Sequence, residues 1–331
     1  MDMKILIKRT GVALLTIAVA AFITFIVVQN VPGDPIYEWA MELVQTSGLD
    51  FETAYKVAAQ MYGYDPNEPL IHRLAVYVKR LLRGNLGYSM IYRASVNEII
   101  AKALPWTAFV VSISLLLSFS LGVVLGTVIA WKRRSFLDPV VTGYASFTAA
   151  TPDYVTAMLL LLFFAINLKW FPTRGAYDVG LTPGFNLRFI GNVLHHAALP
   201  ILSFTLEAVG GWALAMKGSA VSVLGEDYIM AAKARGLKDR RIVVSYLARN
   251  SILPLITGLA ISFGGMFGGS ILIETIFNYP GMGWFFSQAL TRKDYGMMQG
   301  LFLLTIAATI IANLLADLIY ARLDPRVRLE R

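Results

Sequence analysis

The stretch "DYIMAAKARGLKDRRIVVSYLARNSILP", Asp227–Pro254, is charged and helix-forming, yet it lies between two long apolar runs. Asp227 can cap a short helix through its side-chain oxygen. Tyr228 to Arg235 then give about two turns, and Gly236 is suited to the residue just past the C-terminus, where a left-handed backbone is needed. A second helix is expected from near Asp239, running through "RRIVVSYLARN" toward the next apolar run. The stretch therefore predicts a helix, a Gly turn and a second helix lying under a membrane. An amphipathic helix held by anionic lipid would fit. A short, capped, Gly-terminated peg is better suited to a groove on a protein.

The flanking runs establish the membrane. The chain has 331 residues, 56% of them hydrophobic and 15% charged, where a soluble domain averages about 25% charged. A helix needs about 20 apolar residues to cross a ~30 Å core. Thr10–Val31, Ala103–Trp131, Asn250–Ile273 and Tyr295–Ala316 are uncharged throughout. Pro139–Leu168 and Ala197–Met216 each carry one acid, Asp153 and Glu207. Six membrane-spanning helices in an all-α integral membrane protein are predicted. The first run is too long for a signal-peptide core and lacks a small-residue cleavage site, so residues 1–31 read as an uncleaved anchor. There is no Cys, which removes disulfides and thiolate metal sites.

The formal charge of +8 does not indicate nucleic acid, because the basic residues lie in loops beside apolar spans. With a cytoplasmic N-terminus, the inner segments hold 17 Lys and Arg and the short outer loops hold 5. The positive-inside rule then places both termini in the cytoplasm of a multi-pass plasma (inner) membrane protein.

Residues 32–102 are expected to form a small, mostly helical external subdomain, with helices in "PIYEWAMELV" and in "NEPLIHRLAVYVKRLLRG", the latter starting after Asn67 and stopping at Gly84. Residues 103–331 form the rest of the membrane core, including the cytoplasmic loop 218–250 between spans four and five. Pro105, Pro152, Pro200 and Pro254 mark helix starts or kinks. Gly264 with Gly268, and Gly265 with Gly269, have the spacing of close helix contacts.

Ionisable groups inside spans are costly and face a pathway, pair internally or stay protonated. For Asp153 and Glu207, lining a substrate route and a structural hydrogen bond are both open. Glu274, near the outer end of the fifth span, reads as a gate or a helix-packing carboxylate. Asn313 and Asp317, one turn apart, suit an interhelical hydrogen bond. His195 and His196 are adjacent but do not share a helical face, so an interfacial pair is favoured over a metal site.

The opening stretch also resembles a family. "AAKARG" (231–236), with Pro254 eighteen residues after Gly236, looks like the EAA loop of ABC importer permeases. The fuller string is similar to the dipeptide, oligopeptide and nickel branch. "VPGDP" (31–35), "GNLGYS" (84–89), "ALPWT" (103–107), "WFPTRG" (170–175), "ETIFNYPGMG" (274–283) and "ANLLADLIYARLDPRVR" (312–328) match that branch in order. Three positions depart from it: Met230 replaces the acid that names the loop, Asn85 a usual Asp, and Glu207 a usually apolar residue.

The resemblance implies a permease that forms half of a translocation pathway with a second permease, usually a different chain. Two cytoplasmic ATPase subunits, holding ATP and Mg, would receive the short helix in a groove, and an external substrate-binding protein would deliver the ligand. The coupling residues carried over are Asp227, Tyr228, Ala231, Ala232, Lys233, Ala234, Arg235, Gly236 and Leu237. Ala231 and Ala232 would allow close approach, and Lys233 and Arg235 would bond acceptors on the partner. Peptide is the default substrate of the branch, with oligosaccharide or nickel as alternatives. The chain has no G-x-x-x-x-G-K-[ST] and so is read as a transport subunit with no cofactor or ATPase site of its own. A proton-coupled transporter using Asp153 and Glu207 would be expected to show internal repeats and more spans. An intramembrane hydrolase would need a motif that is absent, such as G-x-S-x-G or H-E-x-x-H.

Overall fold

The computed structural model describes residues 3–30, 35–62, 68–132, 136–265 and 270–323. The first long helix, α1 (Met3–Gln29), is followed by three shorter ones, α2 (Pro35–Ser47), α3 (Phe51–Tyr62) and α4 (Leu70–Leu82). A two-stranded antiparallel hairpin, β1 (Tyr88–Ser89) and β2 (Ala94–Ser95), leads into α5 (Val96–Trp131). α2 and α4 fall where helical spacing put them. α3 and the hairpin were not foreseen. Asp50 starts α3 by accepting from Thr53 N–H at 2.9 Å. Asn67, "VPGD" (31–34), Arg133, Arg134, Gly268, Gly269 and the last eight residues lie outside the described residues.

α5 runs on through Pro105, which lies inside the helix and does not start it. Ser95 caps it by accepting from Glu98 N–H at 3.2 Å, the Ser-x-x-Glu pattern of a helix start. The helix continues through Ala103, so residue 102 lies inside it. Its 36 residues reach about 54 Å, well beyond the apolar thickness of a bilayer. α8 (Leu187–Leu224), capped by Asn186, has 38 residues and lies along it. Gly122 and Gly126 of α5 make this possible: a Cβ on Gly126 would lie 2.4 Å from Ala213 O and 2.6 Å from Met216 Cβ. That small-residue pair escaped the sequence reading, which marked "FGGMFGGS" instead. Of those glycines, Gly264 packs on Ala312 of the last helix.

Between α5 and α8 lie α6 (Leu137–Ala150) and α7 (Asp153–Leu160), the latter extended by a π-helical segment, Leu161–Asn167. They meet at a bend of 102° just before Asp153. Pro152 explains the break, since it cannot donate into the α6 ladder and restricts the residue before it.

After α8 come α9 (Asp227–Ala234) and α10 (Asp239–Arg241), the π-helical segment Ile242–Ala248, α11 (Arg249–Ser251) and α12 (Leu253–Gly265). Loop 218–250 therefore begins later than drawn, because Gly218–Leu224 still belong to α8. α12 bends by 50° from the preceding helix. Its 13 described residues reach about 20 Å, and the bend breaks the uncharged run Asn250–Ile273 that suggested an unbroken fifth span. The chain ends with α13 (Ile271–Ile276), α14 (Met282–Thr291) and α15 (Tyr295–Leu323).

Among the described residues, four helices are long and apolar enough to cross a membrane, over Ile7–Val28, Val96–Trp131, Leu187–Leu224 and Tyr295–Leu314; counting each bent pair as one span raises the number to as many as six. At the α5 N-terminus, Val96, Ile99, Ile100 and Ala103 are buried against Met282, Ala289, Met297 and Leu301. The buried Asp294 closes this end. It accepts from Ser89 Oγ and Ile91 N–H of the hairpin, and from Met297 N–H in the first turn of α15.

Candidate coupling and pathway sites

α9 is a two-turn helix whose ends are set locally. Gly236 has φ +71°, a conformation glycine takes without steric cost. Its N–H donates to Lys233 O at 2.9 Å, and Leu237 N–H donates to Ala232 O at 3.3 Å. Together these form a Schellman stop. The start differs from expectation. Glu226 is the N-cap and makes no side-chain cap bond, while Asp227 is the first helical residue. Asp227 therefore contributes negative charge at the positive end of the helix rather than a capping oxygen.

One side of α9 is fixed to the rest of the chain. Ile229 and Ala232 are buried with Ile242, against Trp131, Val223, Leu224, Leu237 and Tyr246. Lys233 Nζ lies 5.2 Å from the centroid of the Trp131 ring, within cation–π reach. Of the nine coupling residues, Asp227, Tyr228, Ala231, Lys233, Ala234, Arg235 and Gly236 are exposed and Leu237 is half-buried, whereas Ala232 faces inward. Ala232 thus serves close approach within this chain. Lys233, though exposed, is already engaged with Trp131. Two contributors were missed. Ile229 anchors the helix, and Met230, 58% exposed, enlarges its outer face. The i, i+3 spacing of Ile229 and Ala232 was the available signal.

Asp153 and Glu207 are both half-buried, and their carboxyls are within electrostatic reach of each other. Asp153 opens α7 at the bend and accepts from Ser270 Oγ at 3.0 Å. Ser270 in turn caps α13 by accepting from Ile273 N–H at 3.2 Å.

Glu274 is placed differently, with only 1% of its surface exposed. Its Oε2 accepts from Gly283 N–H at 2.8 Å and Trp284 N–H at 3.2 Å, and its Oε1 accepts from Thr107 Oγ1 at 2.8 Å. The same Thr107 hydroxyl accepts from Met282 N–H at 2.8 Å. The first three amides of α14, which have no partner within the helix, are all satisfied by Glu274 and Thr107. A negative group at that end is also favoured by the helix dipole. Gly281 makes room for it, since a Cβ there would lie 2.3 Å from Glu274 Oε2. Of the two roles expected for Glu274, this geometry is that of the packing carboxylate.

His196 Nδ1 faces the acceptors Arg174 O and Gly175 O, and its Nε2 faces the acceptor Asp178 Oδ1, each at 3.1 Å. It ties the loop before α8 to that helix. Asp178 is the acid that the sequence had not placed beside it. Bonds from Asn192 and His196 hold the Asp178 carboxyl below its ordinary range. His195 faces Trp170 O at 2.8 Å instead. Among the described residues, no three His, Cys, Asp or Glu side chains converge to hold a metal. Asn313 is exposed on α15, and the side chain of Asp317 lies outside the described residues.

A family model for the inner membrane component of binding-protein-dependent transport systems matches residues 122–329. The oligopeptide transport system permease protein OppB of Haemophilus influenzae is 32% identical over 330 residues, covering 98% of this chain and 99% of its own length. The oligopeptide transport system permease protein AppB of Bacillus subtilis is 27% identical over 323 residues, with 97% and 98% coverage. A solved amino acid ABC transporter, crystallised with histidines, overlaps at 15% identity with a TM-score of 0.46, over 68% of this chain and 94% of that one. With the family model covering more than half of its length, this chain belongs to the inner membrane components of binding-protein-dependent transport systems.

Proposed function

We propose that the chain is one of two permease subunits of an ATP-driven importer of di- and oligopeptides, its partner permease being a different chain. The names of the relatives support the substrate class. In this reading each bent pair is one span, which makes six, and both termini are cytoplasmic, in keeping with the 17 to 5 distribution of Lys and Arg. Residues 32–102 are external, where a substrate-binding protein delivers the peptide. Two cytoplasmic ATPases hold ATP and Mg, which this chain does not bind.

The observation that carries the reading is the division of α9 into an anchored side and an exposed side. Tyr228, Met230, Ala231, Ala234 and Arg235 form the face offered to an ATPase groove. Ile229 and the Lys233–Trp131 contact join the helix to the end of α5. Closure of the ATPases then displaces α9, and Trp131 passes the displacement to α5. Asp153 and Glu207 border the route, because two half-buried acids within electrostatic reach of each other are costly unless water or substrate reaches them.

The test compares Gly236→Pro and Arg235→Glu with the natural chain, following co-purification of the ATPases and ATP-driven uptake of a labelled oligopeptide. Proline cannot adopt φ +71°, so the first variant destroys the stop. The second alters only an exposed side chain. Both should lose ATPase co-purification and uptake. Full retention of both in the two variants would refute α9 as the dock.

A further inference from the structure

α4 is built the wrong way round for a helix in water. Ile71, Leu74, Ala75, Val78 and Leu82 recur at i, i+3, i+4, i+7 and i+11, a single apolar stripe. None of the residues of α4 is buried. Ile71 and Leu82 are 82% and 83% exposed. The opposite, polar side is the one turned inward: Arg73, Tyr77 and Arg80 are half-buried, and the Tyr77 ring stacks on Phe25 of α1 at 5.4 Å.

The position of α4 along the spans identifies what covers the stripe. Phe25 lies three residues before the end of the apolar stretch Ile7–Val28, and Gln299, beside Tyr77, lies four residues into Tyr295–Leu314. At 1.5 Å per residue both contacts are within about 6 Å of the end of a span. They are at the same membrane face, because one span ends where the other begins. At that depth α1 also exposes Phe22, Ile23 and Val27. Lys79 and Arg83 border the apolar groove of α4, placed to extend their charged ends toward phosphate while their stems cover apolar surface.

We propose that α4 is an interfacial anchor, its apolar stripe seated at the headgroup–acyl boundary of the leaflet where α1 ends and α15 begins. The helix braces the segment between the first two spans against the bilayer. Such helices lie in the interface plane with the apolar face about 5–10 Å deep.

The chain has no Cys, so single-Cys variants of the full chain can be labelled at one site with an environment-sensitive fluorophore and reconstituted in phosphatidylcholine–phosphatidylglycerol vesicles. Ile71→Cys and Val78→Cys would be compared with Phe22→Cys on α1 and Lys56→Cys on α3. Labels at Ile71 and Val78 should be blue-shifted, quenched by nitroxides on lipid acyl chains and spared by aqueous iodide, as at Phe22. Quenching by iodide to the extent seen at Lys56 would overturn the proposal. So would protection from both quenchers in the assembled transporter, since a protein partner would then cover the stripe.

Discussion

Replacing Glu274 with Ala distinguishes a structural carboxylate from one that lines a route. The substitution removes the acceptor for Gly283 N–H and Trp284 N–H, which lie at 2.8 and 3.2 Å in a site where Glu274 itself is 1% exposed. A buried donor left without a partner costs about 1–3 kcal/mol, so the two together cost about 2–6 kcal/mol. The Thr107 hydroxyl keeps its bond from Met282 N–H and can turn its proton to its own helix, so it adds little. For a chain of this size each kcal/mol lowers the midpoint by about 2 °C, giving a fall of about 4–12 °C. The assay is thermal unfolding in detergent followed by tryptophan fluorescence, to which Trp284 contributes directly. Glu274→Gln retains an oxygen for the two amides and should lose less than half as much. Peptide uptake measured below the midpoint should survive in both variants. An unchanged midpoint with abolished uptake would refute the capping argument and return Glu274 to the pathway.

Other consequences can be checked in the same preparations. Gly126→Leu would force α5 from α8, because even a Cβ meets Ala213 O at 2.4 Å; a loss of about 1–3 kcal/mol is expected, read as a lower unfolding midpoint. Lys217→Met should destabilise more than the double variant with Asp138→Asn, since the half-exposed pair leaves an unmatched acid when only Lys217 is removed; equal unfolding midpoints for the two would show that the pair is inert. Glu207→Gln should change the rate of peptide uptake while leaving the unfolding midpoint unchanged, and a change in stability alone would make Glu207 structural. The lowered Asp178 pKa makes its contribution present above the ordinary carboxylate pKa near 3.8 and lost as pH falls below that value. Hydrogen exchange over residues 176–192, corrected for intrinsic rates, should therefore stay slow from pH 7 to about pH 5 and quicken near pH 3. Asp178→Asn should exchange fast throughout.

What the sequence determined alone was whatever depends on near neighbours. Uncharged runs long enough to span a bilayer identified the long helices, because exclusion from hydrocarbon is a property of the run itself. The extent of α9 was legible to within a residue, since a Schellman stop is made by Gly236 and the five residues around it. Its starting residue was less so, because Glu226 and Asp227 compete for the cap and only the backbone decides between them. Tertiary structure decided the rest. That Ala232 turns inward while Met230 turns outward depends on where α5 ends, 100 residues earlier in the chain. That Glu274 meets the first amides of α14 was decided by packing across nine residues of chain and with Thr107 from another helix. The 102° bend at Pro152 brings Asp153 within electrostatic reach of Glu207, although each looked like an isolated charge in its own span. A hydrogen bond or an ion pair forms between groups that packing has already made adjacent, and no local pattern specifies that adjacency.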